Sequence, residues 1–489
     1  MKRRIALILC LTLAFMSAAV FLSCSGEGKP ASPIDSEAVS TEAETTADPL
    51  ADNLPERSFG GYEFRFYTCL DAGSLYVPEA ENGDVVNDAA YSRNRMVEER
   101  FDIRFVPVDS GAADTSKHTA AIKASILAGG EDFDIIINNG KSLASHTSMD
   151  GLLCNLHSLG YFDYEKPWWS KQFVDDMTFN GIMYVCSNNL HYEEFAASKV
   201  YYFNKGEIAS RGIEDPYKTV FAGAWTLDHM ISLTKDVYED INGNGSSDKD
   251  DFYGLLTTVS HNTWSVALDI PEWEKKDGAI EFVALSEKMF TAFDKIHDWD
   301  FNSKGLYTWP SYSAAVKNEE MRTMFINGRG IFTFGFVGDS GKYYRETEVD
   351  YGIVPFPKFD ENQESYRIFY GANSSNMFGI PVTLTDTERT GIIVEALAAE
   401  SYKQLQPAYY EVALKAKYLR DEDSVAMLDL VTSCRTISFS YCYDNWNAGV
   451  GFGNCFGTDK KDNYTSFVAS REALINERLK AVAEVFTAK

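Results

Sequence analysis

The chain has 489 residues, carries a formal net charge of −27 and is 14% aromatic. So acidic a surface speaks against nucleic acid or anionic lipid as a partner, and it favours solubility. The length exceeds what one hydrophobic core normally serves, so we expect two lobes.

The first 23 residues have the features of a lipoprotein signal peptide. Lys2, Arg3 and Arg4 precede an apolar run that is too short for a membrane-spanning helix. The run ends in "FLSC", which resembles the bacterial lipobox, with Phe21 in place of the usual leucine. We expect cleavage before Cys24 and a diacylglycerol on its thiol. The alternative is an ordinary signal peptide that happens to contain a cysteine.

Residues 24–58 have the composition of a flexible tether. They are rich in Ser, Thr, Ala, Pro and acidic residues, which cannot offset the entropy lost on ordering. No apolar run after residue 24 is long enough to span a membrane. We therefore expect the lipid alone to hold the folded body at the extracellular face of the cell membrane.

After the tether, the sequence alternates between strand and helix patterns. "YEFRFYT" alternates as a strand does, "NDAAYSRNRMVEERFDIRFVPVDS" indicates a helix and a strand, and "DFDIIINN" is an apolar strand with a polar end. This order predicts an α/β fold with a parallel sheet and covering helices. Ligands of such sheets lie beyond the carboxyl ends of the strands, which makes Asn138 and Asn139 candidate ligand-binding residues.

The later pattern predicts how the chain divides between two lobes. Helical patterns recur at 283–298, 314–327 and 385–417. The strand-like segments "GIFTFGF" and "YGIVPFPKF" lie between them and indicate a return to the first lobe. The predicted lobe 1 is 59–160 with 330–382, and the predicted lobe 2, mostly helical α/β, is 161–329 with 383–489.

The segment "DINGNGSSDKDD" matches a twelve-position calcium loop. Its oxygen-bearing positions are Asp240, Asn242, Asn244, Ser246, Asp248 and Asp251. Gly245 stands where the loop turns sharply, and Asp251 stands where an EF-hand has glutamate. We predict a structural Ca²⁺ of modest affinity. The alternative is an Asx-turn loop without metal, because Asn-Gly-Asn-Gly favours turns by itself.

Enzyme motifs are missing from the sequence. It has no H-E-x-x-H, no G-x-S-x-G and no Walker loop, and no two acidic residues stand out as a glycosidase pair. We therefore expect a binding protein rather than an enzyme.

The cysteines beyond Cys24 show no metal-type spacing. They are Cys69, Cys154, Cys186, Cys434, Cys442 and Cys455. Secretion permits disulfides, and the last three are close enough in sequence to cross-link. Sparse cysteines in a large domain favour buried thiols.

Two tryptophans lie among polar residues, which favours sugar binding. Trp264 follows a strand-like segment, and Trp446 lies beside Asp444. An indole face stacks on a sugar ring while neighbouring polar groups bind its hydroxyls. The candidate cleft residues are Asn138, Asn139, Trp264, Phe336, Asn373, Asp444 and Trp446. Arg435 is a further candidate, which could pair with Asp444 or bind an anionic sugar.

Several segments together resemble the extracellular solute-binding proteins of bacterial ABC importers, a broad group that includes sugar-binding lipoproteins. They are "VVNDAAYSRNRMVEERFDI", "DFDIII", "KPWW", "YYFNK", "GAWTLDHMISLTKDVYEDINGNGSSDKDDFYGL" and "DEDSVAMLDLV". The resemblance covers essentially the whole body. It implies a periplasmic-binding-protein-like fold, with two α/β lobes, a hinge and a ligand cleft between the lobes. It implies neither a particular ligand nor any particular contact residue.

We therefore expect a lipid-anchored receptor that captures a carbohydrate and presents it to ABC transporter permease subunits. The expected state is a monomer that binds no nucleic acid. The alternatives are a secreted glycoside hydrolase and a surface glycan sensor or adhesin without a transport partner.

Overall fold

Alternating apolar residues build the first sheet, as the sequence predicts. In β1 (Tyr62–Thr68), Phe64 and Phe66 are buried and their neighbours are partly exposed. The computed structural model describes residues 48–70, 72–187, 190–258, 262–309, 314–371, 375–416, 421–444, 455 and 463–487. Apart from residue 48, these belong to one unit, Pro49–Lys489.

The first sheet is largely parallel and has the strand order β13-β3-β1-β2. The helices between its parallel strands cover its faces, as crossover connections require. The elements of this part are β1, α1 (Gly73–Tyr76), α2 (Val85–Phe101), β2 (Ile103–Asp109), α3 (Thr115–Leu127), β3 (Ile135–Asn139), α4 (Gly140–Ser142) and α5 (Lys171–Met177). A π-helical turn (Leu143–Ser148) follows α4 directly, and a 3₁₀ turn (Leu156–Ser158) precedes α5.

The second sheet has the strand order β11-β4-β10-β6-β5, and β9 also pairs with β6. Its elements begin with α6 (Glu193–Ala196), β4 (Lys199–Asn204), α7 (Lys205–Ser210), α8 (Pro216–Phe221), α9 (Leu227–Thr234), β5 (Tyr238–Glu239), β6 (Phe252–Thr258) and α10 (Asn262–Ala267). A separate two-stranded hairpin comes next, formed by β7 (Trp273–Lys276) and β8 (Ala279–Phe282). The elements after it are α11 (Glu287–Asn302), β9 (Leu306–Trp309), α12 (Ala314–Ile326), β10 (Gly330–Phe336), α13 (Asp339–Lys342) and β11 (Tyr351–Val354).

The last part of the chain contacts both sheets. It comprises β12 (Ile368–Phe369), β13 (Asn376–Gly379), α14 (Thr387–Glu400), α15 (Glu422–Ser433), β14 (Arg435–Thr436), α16 (Phe439–Tyr443), α17 (Tyr464–Ala469) and α18 (Glu472–Val485). Two π-helical turns, Ser401–Leu405 and Ala408–Ala416, follow α14 where one long helix was predicted. Pro407 lies between them and lacks the N–H that a continuous α-helix needs.

The predicted boundaries of the lobes differ from the structure. Residues 330–382 were assigned to lobe 1, but β10 and β11 both pair antiparallel with β4 in the second sheet, and only β13 joins the first. Helix α14 was assigned to lobe 2, but it packs against α2 of the first lobe. The alternation of apolar residues identifies a strand without identifying its partner, so the sheet to which a strand belongs could not be derived from it.

The six cysteines after Cys24 are free thiols in the structure. Cys69, Cys186, Cys442 and Cys455 are buried, and Cys154 and Cys434 are partly buried. Burial in apolar surroundings disfavours the thiolate, and it raises the pKa of Cys442 to about 12. No helix among the described residues is long and apolar enough to cross a membrane.

The "KPWW" segment holds a buried carboxylate of α14. Glu395 is fully buried, and its two carboxylate oxygens each accept a hydrogen bond of 2.9 Å from the indole N–H of Trp168 and of Trp169. Burial raises the pKa of Glu395 from its ordinary value of 4.5 to about 7, although the two indole bonds lower it. This contact fastens the segment after β3 to a helix more than two hundred residues later.

We expect Glu395→Gln to destabilise the fold by about 1–3 kcal/mol at pH 6, because the amide NH₂ cannot accept from an indole N–H, whereas the hydroxyl oxygen of the protonated wild-type side chain can. Since the pKa of Glu395 is raised in the folded state, protonation of the wild type stabilises it as the pH falls through 7. The difference between wild type and variant should therefore grow from pH 8 to pH 6 in urea denaturation. Glu388→Gln, an exposed position on the same helix, is the control and should change stability by about 0.5 kcal/mol or less. If Glu395→Gln and Glu388→Gln changed the free energy of unfolding equally, the hydrogen bonds between Glu395 and the two indoles would not stabilise the fold.

A buried arginine on α2 ties the first lobe to the segment that leaves it. Arg93 is 1% exposed and donates to the carbonyl oxygens of Tyr76 and Leu190, at 3.1 and 2.8 Å. It also donates to Ser401 Oγ at 2.9 Å, and twice to Asn94 Oδ1, at 3.0 and 2.7 Å. Burial lowers the pKa of Arg93 to about 10. The five N–H donors of the guanidinium are thus all paired with neutral acceptors.

Candidate ligand-binding site

The carboxyl end of β3 lies where the sequence predicts it, and two asparagines shape the turn that follows. Asn138 is buried, and its amide nitrogen donates to Thr119 Oγ1 at 3.1 Å. Asn139 caps α4, because its Oδ1 accepts a hydrogen bond of 3.1 Å from the Ser142 backbone N–H. These contacts fix the turn that carries Lys141.

Lys141 is a buried cation at this strand end. It is 3% exposed, and its Nζ lies 4.3 Å from the centre of the Tyr441 ring. Burial lowers the pKa of Lys141, while the negative charges of Asp444 and Glu272 oppose that shift. The ammonium therefore depends on partners supplied from other parts of the chain.

Asp444 comes from the turn after α16, which packs against α4. The guanidinium of Arg478 positions this turn, donating to the carbonyl oxygens of Tyr443 at 2.7 Å and of Ser145 at 3.1 Å. Burial raises the pKa of Asp444 to about 7, and the charge of Glu272 adds to the rise while Lys141 and Arg478 oppose it.

Glu272 reaches the same place from the second lobe. It lies between α10 and β7, and Ser440 Oγ of α16 donates to its Oε2 at 3.4 Å. Burial raises the pKa of Glu272 as well. Lys141, Glu272, Asp444 and Arg478 together form what we call the charged cluster. Its two cations and two carboxyl groups come from widely separated segments of the chain.

A cavity of about 170 Å³ adjoins the charged cluster. Glu272 and Ser440 line it together with Asp176, Ser265, Lys275 and Arg367. Its charged and hydroxyl groups suit a small polar molecule. It is smaller than the roughly 300–1,000 Å³ of typical small-molecule sites.

Two further residues mark the corresponding edge of the second sheet. Phe336 ends β10 and pairs in register with Lys199, which begins β4. Lys199 Nζ donates to Thr263 Oγ1 at 2.8 Å and lies 4.9 Å from the centre of the Phe369 ring. Burial lowers the pKa of Lys199 to about 7.

The predicted cleft residues do not all meet at the charged cluster. Trp264 is 5% exposed and packs edge-on against Trp299 and Phe356, at 6.0 and 5.1 Å, in the core of the second lobe. The Arg435 guanidinium lies 3.8 Å from the centre of the Phe195 ring. Asn373 and Trp446 lie outside the described residues. Of the predicted set, Asp444 belongs to the cluster, and Asn138 and Asn139 position it.

The predicted calcium loop folds around its own backbone amides. Asp240 accepts hydrogen bonds from the N–H groups of Gly243 and Gly245, at 2.7 and 2.8 Å. Asp251 is fully buried and accepts from the Tyr238 hydroxyl at 2.9 Å and from the Asp248 N–H at 3.1 Å. Both glycines have positive φ, at 69° and 74°. This is the hydrogen bonding of an Asx-turn loop, and within the described residues no three His, Cys, Asp or Glu side chains form a metal-holding group.

Comparison with known proteins identifies the fold. An extracellular solute-binding protein from Staphylococcus aureus, solved with maltose, superposes with a TM-score of 0.57 at 12% identity, over 86% of this chain and 98% of that one. A cyclo/maltodextrin-binding protein complexed with maltotetraose gives 0.53 at 14% identity, over 87% and 96%. A designed esterase improved by directed evolution gives 0.55 at 15% identity, over 87% and 100%.

At these identities the similarity establishes the fold: the chain has the two-lobed α/β architecture of periplasmic solute-binding proteins. The designed esterase has the same architecture, so the fold alone does not assign an activity. No family model matches the sequence. No curated protein matches it either.

Proposed function

We propose that the protein is a lipid-anchored extracellular solute-binding protein that captures a carbohydrate and delivers it to an ABC transporter permease. The observation that carries this proposal is the charged cluster. In it, the charge of Lys141, at the carboxyl end of β3, acts on Glu272, which lies more than a hundred residues later between α10 and β7. A ligand that contacts both would hold the lobes together, as hinge closure around a ligand requires.

The chemistry of the cluster suits a neutral, polyhydroxylated ligand. Each sugar hydroxyl donates one hydrogen bond and accepts others, so it can bind a carboxylate and an ammonium at once. The aromatic ring of Tyr441 lies beside this cluster, with the Lys141 ammonium 4.3 Å from the ring centre. Maltose and maltotetraose, the ligands of two proteins with this fold, are the first probes.

The test is a panel of mono- and oligosaccharides that includes maltose, maltotetraose, xylo-oligosaccharides and cello-oligosaccharides. Binding should raise the melting temperature of the protein, because a ligand that binds only the folded state stabilises it. Chromatography of the mixture should recover the bound sugar intact. A panel in which no sugar raises the melting temperature would contradict the proposal.

A second candidate, a glycoside hydrolase, is favoured by one observation. The pKa values of Glu272 and Asp444 are both raised, and the charge of Glu272 contributes to the rise at Asp444. Glycosidases use a pair of carboxyl groups, one of them with a raised pKa. Shortened products in the same chromatograms would support the hydrolase and exclude simple capture.

The anchor is tested separately, since Cys24 lies outside the described residues. We expect Cys24→Ser to release the protein from cells into the medium, because the thiol that carries the lipid is lost. Retention of the variant at the membrane would contradict lipidation at this position.

We also propose, from the twelve-position pattern of oxygen-bearing residues in the sequence, that the loop of Asp240 to Asp251 can exchange its amide hydrogen bonds for a structural Ca²⁺. Chelation by EDTA should lower the melting temperature of the wild type, because a bound metal stabilises only the folded protein. Asp251→Asn removes the buried carboxylate, so EDTA should leave the melting temperature of this variant unchanged. Sugar selectivity should stay the same in both. An unchanged wild-type melting temperature would contradict calcium binding. Loss of sugar binding while the protein stays folded would contradict a purely structural role.

A further inference from the structure

One carboxylate oxygen in the charged cluster lacks a hydrogen-bond donor. Asp444 is only partly buried as a residue, yet its Oδ1 is buried and has no partner among the described residues. Glu395, the comparable carboxylate on α14, has both oxygens paired with indole N–H groups. A buried acceptor without a donor is unfavourable, because it has lost the water that it bound in the unfolded chain, so Asp444 Oδ1 needs a physical explanation.

The charged groups around Asp444 shift its pKa in opposite directions. Lys141 faces it from the end of β3, and Arg478 faces it from α18; both favour its ionised form. Glu272, from the second lobe, and burial favour its neutral form. His146, on the π-helical turn against which α16 packs, also lies near Lys141 and Arg478, and burial lowers its pKa, so it adds little positive charge at pH 7.

We propose that Asp444 accepts a hydrogen bond from a ligand hydroxyl through its unpaired Oδ1, and that capture of the ligand thereby releases a proton. The inference rests on the proposed carbohydrate-binding function and specifies its key contact. In the free protein the carboxyl group of Asp444 is partly protonated near pH 7. A hydroxyl donor favours the carboxylate, so on binding the acidic proton passes from Asp444 to the solvent. No covalent bond to the ligand forms or breaks.

Affinity should therefore depend on pH with a definite sign. Below pH 6 Asp444 must lose its proton before the ligand binds, so affinity should fall by up to tenfold per pH unit. Above pH 8 Asp444 is already ionised, so affinity should level off. The midpoint should lie near neutrality, where burial places the pKa of Asp444.

Calorimetry on the mature protein tests the inference with maltotetraose or the tightest-binding sugar of the panel. Titrations at pH 7 in phosphate and in imidazole, whose ionisation enthalpies differ, give the number of protons released. We expect roughly half a proton for the wild type. Asp444→Asn should release none and bind at least tenfold more weakly at pH 8. Glu395→Gln, a carboxylate of similar pKa held by the two indoles, is the matched control and should retain wild-type affinity and proton release at 20 °C.

Glu272→Gln keeps the inference testable if Asp444→Asn fails to fold. Removing the charge of Glu272 should lower the pKa of Asp444, and with it shift the midpoint of the affinity–pH curve to lower pH. Sugar binding without proton release, or an unshifted midpoint in Glu272→Gln, would overturn the role of Asp444 and leave the proposed function standing. Failure of every sugar to bind the wild type between pH 5.5 and 8 would overturn both.

Discussion

Replacing Lys141 by methionine should weaken carbohydrate binding by at least about 30-fold. Truncating one partner of a buried charge pair costs about 2–5 kcal/mol, much of it because the remaining charge is left unpaired. Lys141 is 3% exposed and faces the negative charges of Asp444 and Glu272. Methionine keeps the length of the side chain and its packing on Tyr441, so the loss reports the ammonium. Calorimetry with the tightest-binding sugar measures it.

Lys123→Met is the matched control for this prediction. Lys123 lies on α3 of the same lobe, pairs with Asp150 and is about half exposed, at 49% of its side chain. Exposed ion pairs contribute about 1 kcal/mol or less to folding stability. Because Lys123 is also not part of the charged cluster, the affinity of Lys123→Met for the sugar should stay within about twofold of the wild type. Both variants should melt cooperatively, which separates a binding defect from misfolding. If Lys141→Met bound the sugar with wild-type affinity, the charged cluster would not be part of the ligand site.

Replacing Arg93 by lysine should destabilise the protein by about 2–5 kcal/mol, although the charge is conserved. The guanidinium makes five hydrogen bonds in a fixed plane, to acceptors on four residues. An ammonium has three donors on one atom and cannot reach the same set, so at least two of the five buried hydrogen bonds are lost. Each such loss costs about 1–3 kcal/mol. Urea denaturation measures the change.

Arg104→Lys provides the same substitution on the neighbouring strand β2. Arg104 is 64% exposed and pairs with Glu63, which is 55% exposed. Its change in stability should be about 0.5 kcal/mol or less. If Arg93→Lys were no less stable than Arg104→Lys, Arg93 would not be the residue that fastens the segment at Leu190 to the first lobe.

Local sequence patterns predicted the strands and failed on their partners. "YEFRFYT" and "DFDIIINN" gave β1 and β3, the latter with its end at Asn139, because alternation and apolar runs are local properties. "GIFTFGF" was correctly predicted as a strand, but it pairs with β4, more than a hundred residues earlier. Such pairing depends on long-range contacts that one sequence does not reveal.

The same limit explains which site residues were found. Asn138, Asn139 and Asp444 were predicted because a strand end and a polar aromatic segment mark them locally. Lys141 lies two residues beyond Asn139 and could have been included by the same argument. Glu272 and Arg478 lie in segments without a motif, and only tertiary packing brings them to the cluster. Trp264 was predicted in the cleft because its neighbours in the sequence are polar. It is buried in the structure, since neighbours in sequence do not determine what surrounds a side chain in space.

The central claim, that two lobes close around a carbohydrate, is tested most directly by small-angle X-ray scattering of the mature protein with and without the tightest-binding sugar. Hinge closure around a ligand brings the lobes together, so the radius of gyration should decrease on saturation and return when the sugar is dialysed away. Lys141→Met, at the same sugar concentration, should stay at the ligand-free value. A radius of gyration that does not change when calorimetry shows the wild type to be saturated would contradict capture by closure.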